Sequence, residues 1–228
     1  MTALASFAQH ITEGVYDKGI FKAFFLAGGP ASGKSFVSAR AFAGSGLKVV
    51  NSDKKFEADL KKTNLSLSMP EHEKYFRDKI RAGAKAVTAT ALGSYVQGRL
   101  GLVIDSTARD YDSIARQYQM LTLLGYDCYM IFVQTPLQVA LERQKQRERQ
   151  MADYILTTSW KQTQSNKPKY KRLFGSNYSE VENNKSNLEL ITITMNKVAR
   201  QVTALLNAPI KSFTARKWIV SRLKEKRR

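Results

Sequence analysis

The chain is short of three things. It has one cysteine, Cys128, in 228 residues, so no disulfide can form within it, and that usage fits a reducing cytosol. Two histidines, His10 and His72, are too few beside that cysteine to build a zinc cage of the usual donors. Cys128 lies in the apolar run YDCYMIFV and reads as a buried, inert thiol rather than a nucleophile. Long apolar runs are also missing. No stretch approaches the roughly 18 uncharged apolar residues of a membrane span, and MTALASFAQHITEG has no basic region ahead of an apolar core. Neither a membrane span nor a signal peptide is expected, and the expected location is the cytoplasm. Acidic charge is the third shortage: 19 Asp+Glu face 37 Lys+Arg, a net charge of +18. Such an excess favours polyanionic partners, nucleic acid before an anionic membrane surface.

What is present is a phosphate-binding signature. Phe21 to Ala27 is an aromatic and apolar run, and Gly28-Gly29-Pro30-Ala31-Ser32-Gly33-Lys34-Ser35 follows it at once. This is G-x-x-x-x-G-K-S between a strand and an amphipathic segment. The glycines let backbone N–H groups curl around phosphate oxygens, Lys34 reaches the β and γ phosphates, and the Ser35 hydroxyl ligates Mg²⁺. The helix that begins there adds its positive end.

The rest of the chain alternates strands with helices, which argues for βαβ units and a parallel sheet. Thr2 to Tyr16 has the spacing of a short amphipathic helix. A helix from about Gly33 to Ala43 is closed by Gly44 and Gly46. LKVVN is a short strand that delivers Ser52 and Asp53 to its carboxyl end, where ligands sit in open parallel sheets. Ser68 with Glu71 forms a capping box with Pro70 in the first turn, opening a helix to about Gln97. LVID ends a third strand in Asp105, Gly125 closes a helix from Arg109 to Leu124, and Tyr126 to Val133 is the fourth strand. Thr135 at N-cap and Pro136 at N1 predict the next helix. Asp153 to Gln164 is helical, SNKPKYKRLFGSN a basic loop, Tyr178 to Glu182 a fifth strand, and Leu188 to Leu206 an amphipathic helix. Residues 207–228 form a basic C-terminal helical extension, set off by Pro209 from a domain over 1–206.

The loop Gly28 to Ser35, the strand-end Asp53, the LVIDST stretch and FVQTPLQVALERQKQRER together resemble the P-loop kinases that include phage-type polynucleotide kinases and zeta toxins. The resemblance covers roughly Phe21 to Gln150. It implies an α/β three-layer sandwich with a five-stranded, mainly parallel sheet and a helical lid at about 141–175. It also implies ATP and Mg²⁺ as cofactors, phosphorylation of a hydroxyl, and a host-cytoplasm location for a phage-encoded chain. Carried over by residue, Lys34 and Ser35 serve phosphate and Mg²⁺, Asp53 is the general base, and Arg143 and Arg147 are lid arginines. Asp105 matches a carboxylate at the end of the third strand.

Each residue also has a plainer reading. Ser52 or Asp53 can cap the helix that follows, and Asp105 can cap a turn with Ser106 and Thr107. Arg109 can pair with Asp110 or Asp112. Arg143 and Arg147, four apart on one helical face with Arg149 rotated away, can pair with Glu142 and Glu148. Arg77, Lys79, Arg81 and Lys85 on the long helix, with Lys161, Lys167, Lys169, Tyr170, Lys171 and Arg172 near Trp160, suit a nucleic-acid track in which cations meet phosphates and rings stack on bases. The leading expectation is an ATP-dependent kinase acting on a 5′-hydroxyl end or a hydroxymethylated base. Alternatives are a nucleotide, nucleoside or nucleotide-sugar acceptor, and a nucleic-acid-binding ATPase.

Overall fold

The computed structural model describes residues 15–68, 70–149, 151–184 and 188–225. The helix expected over Thr2 to Tyr16, with His10, lies outside the described residues except for Val15 and Tyr16, which are helical.

Five strands build the sheet: β1 (Lys22–Ala27), β2 (Lys48–Val50), β3 (Leu102–Asp105), β4 (Asp127–Gln134) and β5 (Tyr178–Glu182). Their order is β2-β3-β1-β4-β5 and every pairing is parallel, so β1 is central. Helices α1 (Lys34–Ala41), α2 (Ser52–Lys62), α3 (Lys74–Gln97), α4 (Tyr111–Leu123), α5 (Leu137–Lys145), α6 (Asp153–Phe174), α7 (Leu188–Asn207) and α8 (Phe213–Glu225) connect and flank the strands.

Alternation along β1 divides the core in two. Phe24 and Leu26 pack with Val103, Tyr129, Ile131 and Val133 against Val37 of α1 and Met195, Val198 and Val202 of α7. Phe25 and Ala27 face the other way, with Ile104, Met130 and Phe132, against Ile114 of α4, Tyr170 and Phe174 of α6 and Ala215 of α8. A strand buried on both faces needs no polar side, which is why β1 and β4 read as continuous apolar runs. The three-layer α/β expectation holds, with a fully parallel sheet. Cys128 is buried in β4, and burial pushes its thiol up to about 12, as an inert cysteine requires.

Three local expectations are corrected. The helix α3 starts at Lys74 after a 3-10 turn over Glu71–Glu73, and Pro70 precedes it in extended backbone. There Glu73 rather than Glu71 reaches back, accepting from Ser66 N at 2.9 Å. Thr135 does not cap α5; its hydroxyl turns into the P-loop instead. The basic loop after Gln164 is helix: α6 runs through Pro168 to Phe174. Pro168 costs one helix hydrogen bond, but fully buried Tyr170, whose hydroxyl donates to Ala108 O at 2.9 Å, and Phe174 lock the last turns onto the sheet.

Candidate active site

The P-loop leaves the carboxyl end of the central strand and enters α1. Gly28 has φ 151° and a Cβ there would meet Val133 O at 2.6 Å; Gly33 has φ 88° and a Cβ would strike Asn183 Nδ2. Both positions therefore exclude any side chain. Ala31 is buried at φ 54°, a left-handed conformation that L-residues adopt at a cost of about 1–2 kcal/mol.

The loop's outer side is held by residues far along the chain. Ser32 O accepts from Asn183 Nδ2 at 2.8 Å and from Thr135 Oγ1 at 3.0 Å. Trp160 Nε1 donates to Thr135 O at 2.9 Å, and its ring lies against Gly29. On the inner side Lys34 Nζ donates to Gly28 O at 2.8 Å and Gly29 O at 3.0 Å. Burial lowers the Lys34 pKa, while Asp105 and Asp53 oppose that shift and Arg147 adds to it. Lys34 thus feels the charges of three other predicted residues.

The fit to a polyphosphate rests on two orphaned groups. Ser32 Oγ and Arg143 Nη1 are buried with no hydrogen-bond partner, and Arg143 Nη1 lies 3.7 Å from where a Gly33 Cβ would be. A buried guanidinium edge without an acceptor is costly, and an anion in the loop relieves it. Burial, and then the charge of Arg147, lower the Arg143 pKa. Arg143 is on α5, which ends at Lys145; Arg147 is exposed beyond it, so the two do not share a helical face as the spacing suggested. Neither pairs with Glu142 or Glu148 among the described residues, and Glu148 reaches Lys61 at 3.6 Å.

Asp53 and Asp105 occupy neighbouring strand ends. Asn51, not Ser52 or Asp53, caps α2: its Oδ1 accepts from Asp53 N at 2.8 Å and Lys54 N at 3.2 Å. Its Nδ2 donates to Asp105 Oδ2 at 2.6 Å. The Asp53 carboxylate is therefore free of capping and half exposed. It faces Arg149 Nη2 at 3.4 Å and Arg81 Nη1 at 3.6 Å. Asp105 caps nothing; burial raises its pKa, opposed by Lys34 and the Asn51 bond. Ser35, exposed at the start of α1, and Asp105 are both hard oxygen donors, a set that suits Mg²⁺. The charge of a bound cation would hold Asp105 ionised. Arg109 is exposed and pairs with neither Asp110 nor Asp112 among the described residues; Asp110 instead caps α4.

Sequence reading missed Asn183, Thr135 and Trp160 as supports of the loop, and Asn51 as the link between the Asp105 carboxylate and the first turn of α2. Asn51 alone had a local signal, an Asn ahead of a helix. The aromatic-basic track is also altered: Tyr170 is fully buried, and Lys167 and Lys171 both pair with Glu180 at 2.7 Å.

Fold and site define an α/β protein of P-loop type with the architecture of the small kinases. A protein-family model described as AAA domain matches residues 24–167, more than half of the chain, and the chain belongs to that family. No curated protein matches it in sequence. Among solved structures it is similar to the AvrRxo1-ORF1:AvrRxo1-ORF2 complex with sulphate ions, at 15% identity and TM-score 0.59, over 96% of this chain and 81% of that one. It is also similar to a shikimate kinase from Acinetobacter baumannii in complex with shikimate, at 17% identity and TM-score 0.50, over 84% and 96% of the two chains. A gluconokinase from Sinorhizobium meliloti 1021 is similar at 14% identity and TM-score 0.50, over 82% and 96%. At these identities the likeness is one of fold. Among the described residues no helix is long and apolar enough to cross a membrane, and no cluster of three His, Cys, Asp or Glu side chains forms.

Proposed function

We propose that the chain is an ATP-dependent kinase, assisted by Mg²⁺, that phosphorylates a hydroxyl of nucleic acid: a 5′ end or a hydroxymethylated base, as the polynucleotide kinase branch does. The observation that carries it is a gathering of unmet groups and charge at the loop. Two unsatisfied buried polar groups, Ser32 Oγ in the loop and Arg143 Nη1 on α5, gather by Lys34, whose charge is felt by Asp53, a carboxylate that caps no helix. Asp53 accepts the proton of the acceptor hydroxyl, whose oxygen bonds to the γ phosphorus while the bond from that phosphorus to the β–γ bridging oxygen breaks and ADP leaves. Lys34, Arg143 and Arg147 hold the phosphates and neutralise charge that develops on them. Ser35 and Asp105 would hold Mg²⁺, which when bound would supply further neutralisation of phosphate charge. The net charge of +18 supports a polyanionic acceptor.

Burial of Tyr170 and the pairing of Lys167 and Lys171 with Glu180 favour a second reading, a small acceptor such as a nucleotide or nucleotide-sugar. The γ-phosphate of labelled ATP, offered with 5′-hydroxyl and hydroxymethyl-base oligonucleotides and with nucleotides, tests both. Label on the oligonucleotides, with an apparent affinity whose log falls about 0.7 per log salt for each phosphate bound, is the expected result. Label on the small molecules alone, with a flat salt response, selects the second reading. Phosphate release without any labelled acceptor makes the protein an ATPase.

A further inference from the structure

The helical layer formed by α4 and α8 leaves apolar side chains in water. Ile114 and Leu121 of α4, and Ala215, Trp218 and Ile219 of α8, pack into one core beneath it. The opposite side of α8 therefore carries Phe213, Lys217, Val220 and Lys224, four, three and four residues apart, with Arg216 beside them. On α4 that side carries Arg116, Met120 and Leu123, four and three apart. Leu123 is 81% exposed, Phe213 74%, Val220 51% and Met120 41%. The two helices meet at a corner: a Cβ on Gly125, just past α4, would come within 3.0 Å of Ala215 N. Leu123 and Phe213 thus belong to one end of the layer. The one acidic residue of α8, Glu225, is taken by Arg222 at 2.6 Å, and Arg216, Lys217 and Lys224 form no salt bridge among the described residues. Asp112 of α4 lies about three turns from Leu123.

We propose that this face docks on an anionic lipid bilayer, with Phe213, Leu123 and Val220 entering the headgroup boundary while Arg116, Arg216, Lys217 and Lys224 meet lipid phosphates. A surface that mixes Phe and aliphatic side chains with Lys and Arg has both attractions of an interfacial helix, buried apolar area and charge. Nucleic acid would satisfy only one of them. Its phosphates attract the cations, but Leu123, Val220 and Met120 have no ring to stack on a base and would stay in water. A second copy of the chain fits worse, because a two-fold contact through this face sets Arg216, Lys217 and Lys224 against like charge. Leu123 leads into β4 at the amino-end edge of the sheet, opposite the P-loop edge, so the bilayer need not cover the candidate active site.

The full chain is sedimented with vesicles of phosphatidylcholine alone and of phosphatidylcholine mixed with phosphatidylserine. The wild type is expected on the mixed vesicles and not on the neutral ones. Phe213→Ser combined with Leu123→Ser is expected to weaken that binding about tenfold, and Lys217→Gln combined with Lys224→Gln about twentyfold. All four positions are exposed, so both double variants are expected to melt within a few degrees of the wild type. Phe213→Trp reads insertion directly, by a blue shift of its emission on the mixed vesicles. No binding to the mixed vesicles overturns the proposal, as does a Phe213→Trp emission that stays unchanged on them. Binding that survives both serine substitutions overturns it as well, since charge alone would then account for the attraction. A single-stranded oligonucleotide is titrated in parallel. If the lysine pair weakens its binding but not that of the vesicles, the face belongs to nucleic acid and the proposal falls.

Discussion

Asn183 Nδ2 donates to Ser32 O at 2.8 Å, joining the residue after β5 to the P-loop across 151 positions of sequence. That bond, with the one from Thr135 Oγ1, pins the Ser32 carbonyl to the segments after β4 and β5. Asn183→Ala is expected to raise the KM for ATP about tenfold, the worth of one buried hydrogen bond, and to leave the KM for the acceptor unchanged. Steady-state kinetics with each substrate varied in turn would separate the two; an unchanged KM for ATP means the loop holds its shape without Asn183.

Asp53 carries the acceptor half of the proposal. Asp53→Asn is expected to lower kcat by about 10²–10⁴, the worth of a positioned base, with the melting temperature little changed, because the helix cap uses the Asp53 N–H and not its carboxylate. Turnover near that of the wild type removes Asp53 as the base.

Lys34 is half-buried and held by two carbonyls of its own loop. Lys34→Met is expected to abolish the rise in melting temperature that ATP confers on the wild type, while the nucleotide-free protein melts within a few degrees of it. Differential scanning fluorimetry with and without ATP reads both. An intact ATP-induced shift would place the nucleotide elsewhere.

Glu180 joins β5 to α6 through Lys167 and Lys171. Burial pushes its pKa up, but hydrogen bonds from the two lysines prevail and hold it below 4.5. A carboxylate whose folded pKa is depressed contributes stability that is present above its unfolded pKa and lost as pH falls through the folded one. Glu180→Gln is therefore expected to be less stable than wild type at pH 7, with the difference shrinking below about pH 4.5. Urea unfolding at a series of pH values checks it; a difference independent of pH assigns the loss to packing.

The parts of this molecule legible in the sequence are those whose cause is local. The strand, loop and helix around Gly28 to Ser35 are set by glycine conformation and by apolar runs, and the alternation of strands and helices delivers Asp53 and Asp105 to strand ends. What escaped was decided by contacts distant in sequence. Pro168 signals a break, yet Tyr170 and Phe174 find a place on the sheet and carry the helix past it. Thr135 has the chemistry of a cap, but the Ser32 carbonyl claims its hydroxyl. The helix expected to carry Arg147 stops at Lys145, and it is Arg149, not Arg147, that meets Asp53. No feature of the segment around Asn183 hints that it touches the phosphate loop.

Asn51 spends both ends of its amide, one on the first turn of α2 and one on Asp105. The carbonyl end takes two backbone N–H groups and so leaves the amino end one way to face. A single side chain thereby ties the backbone of Asp53 to the carboxylate of Asp105. Any tilt of α2 that carries Asp53 toward or away from an acceptor pulls on Asp105 as well, making Asn51 a tie rod between the two halves of the transfer.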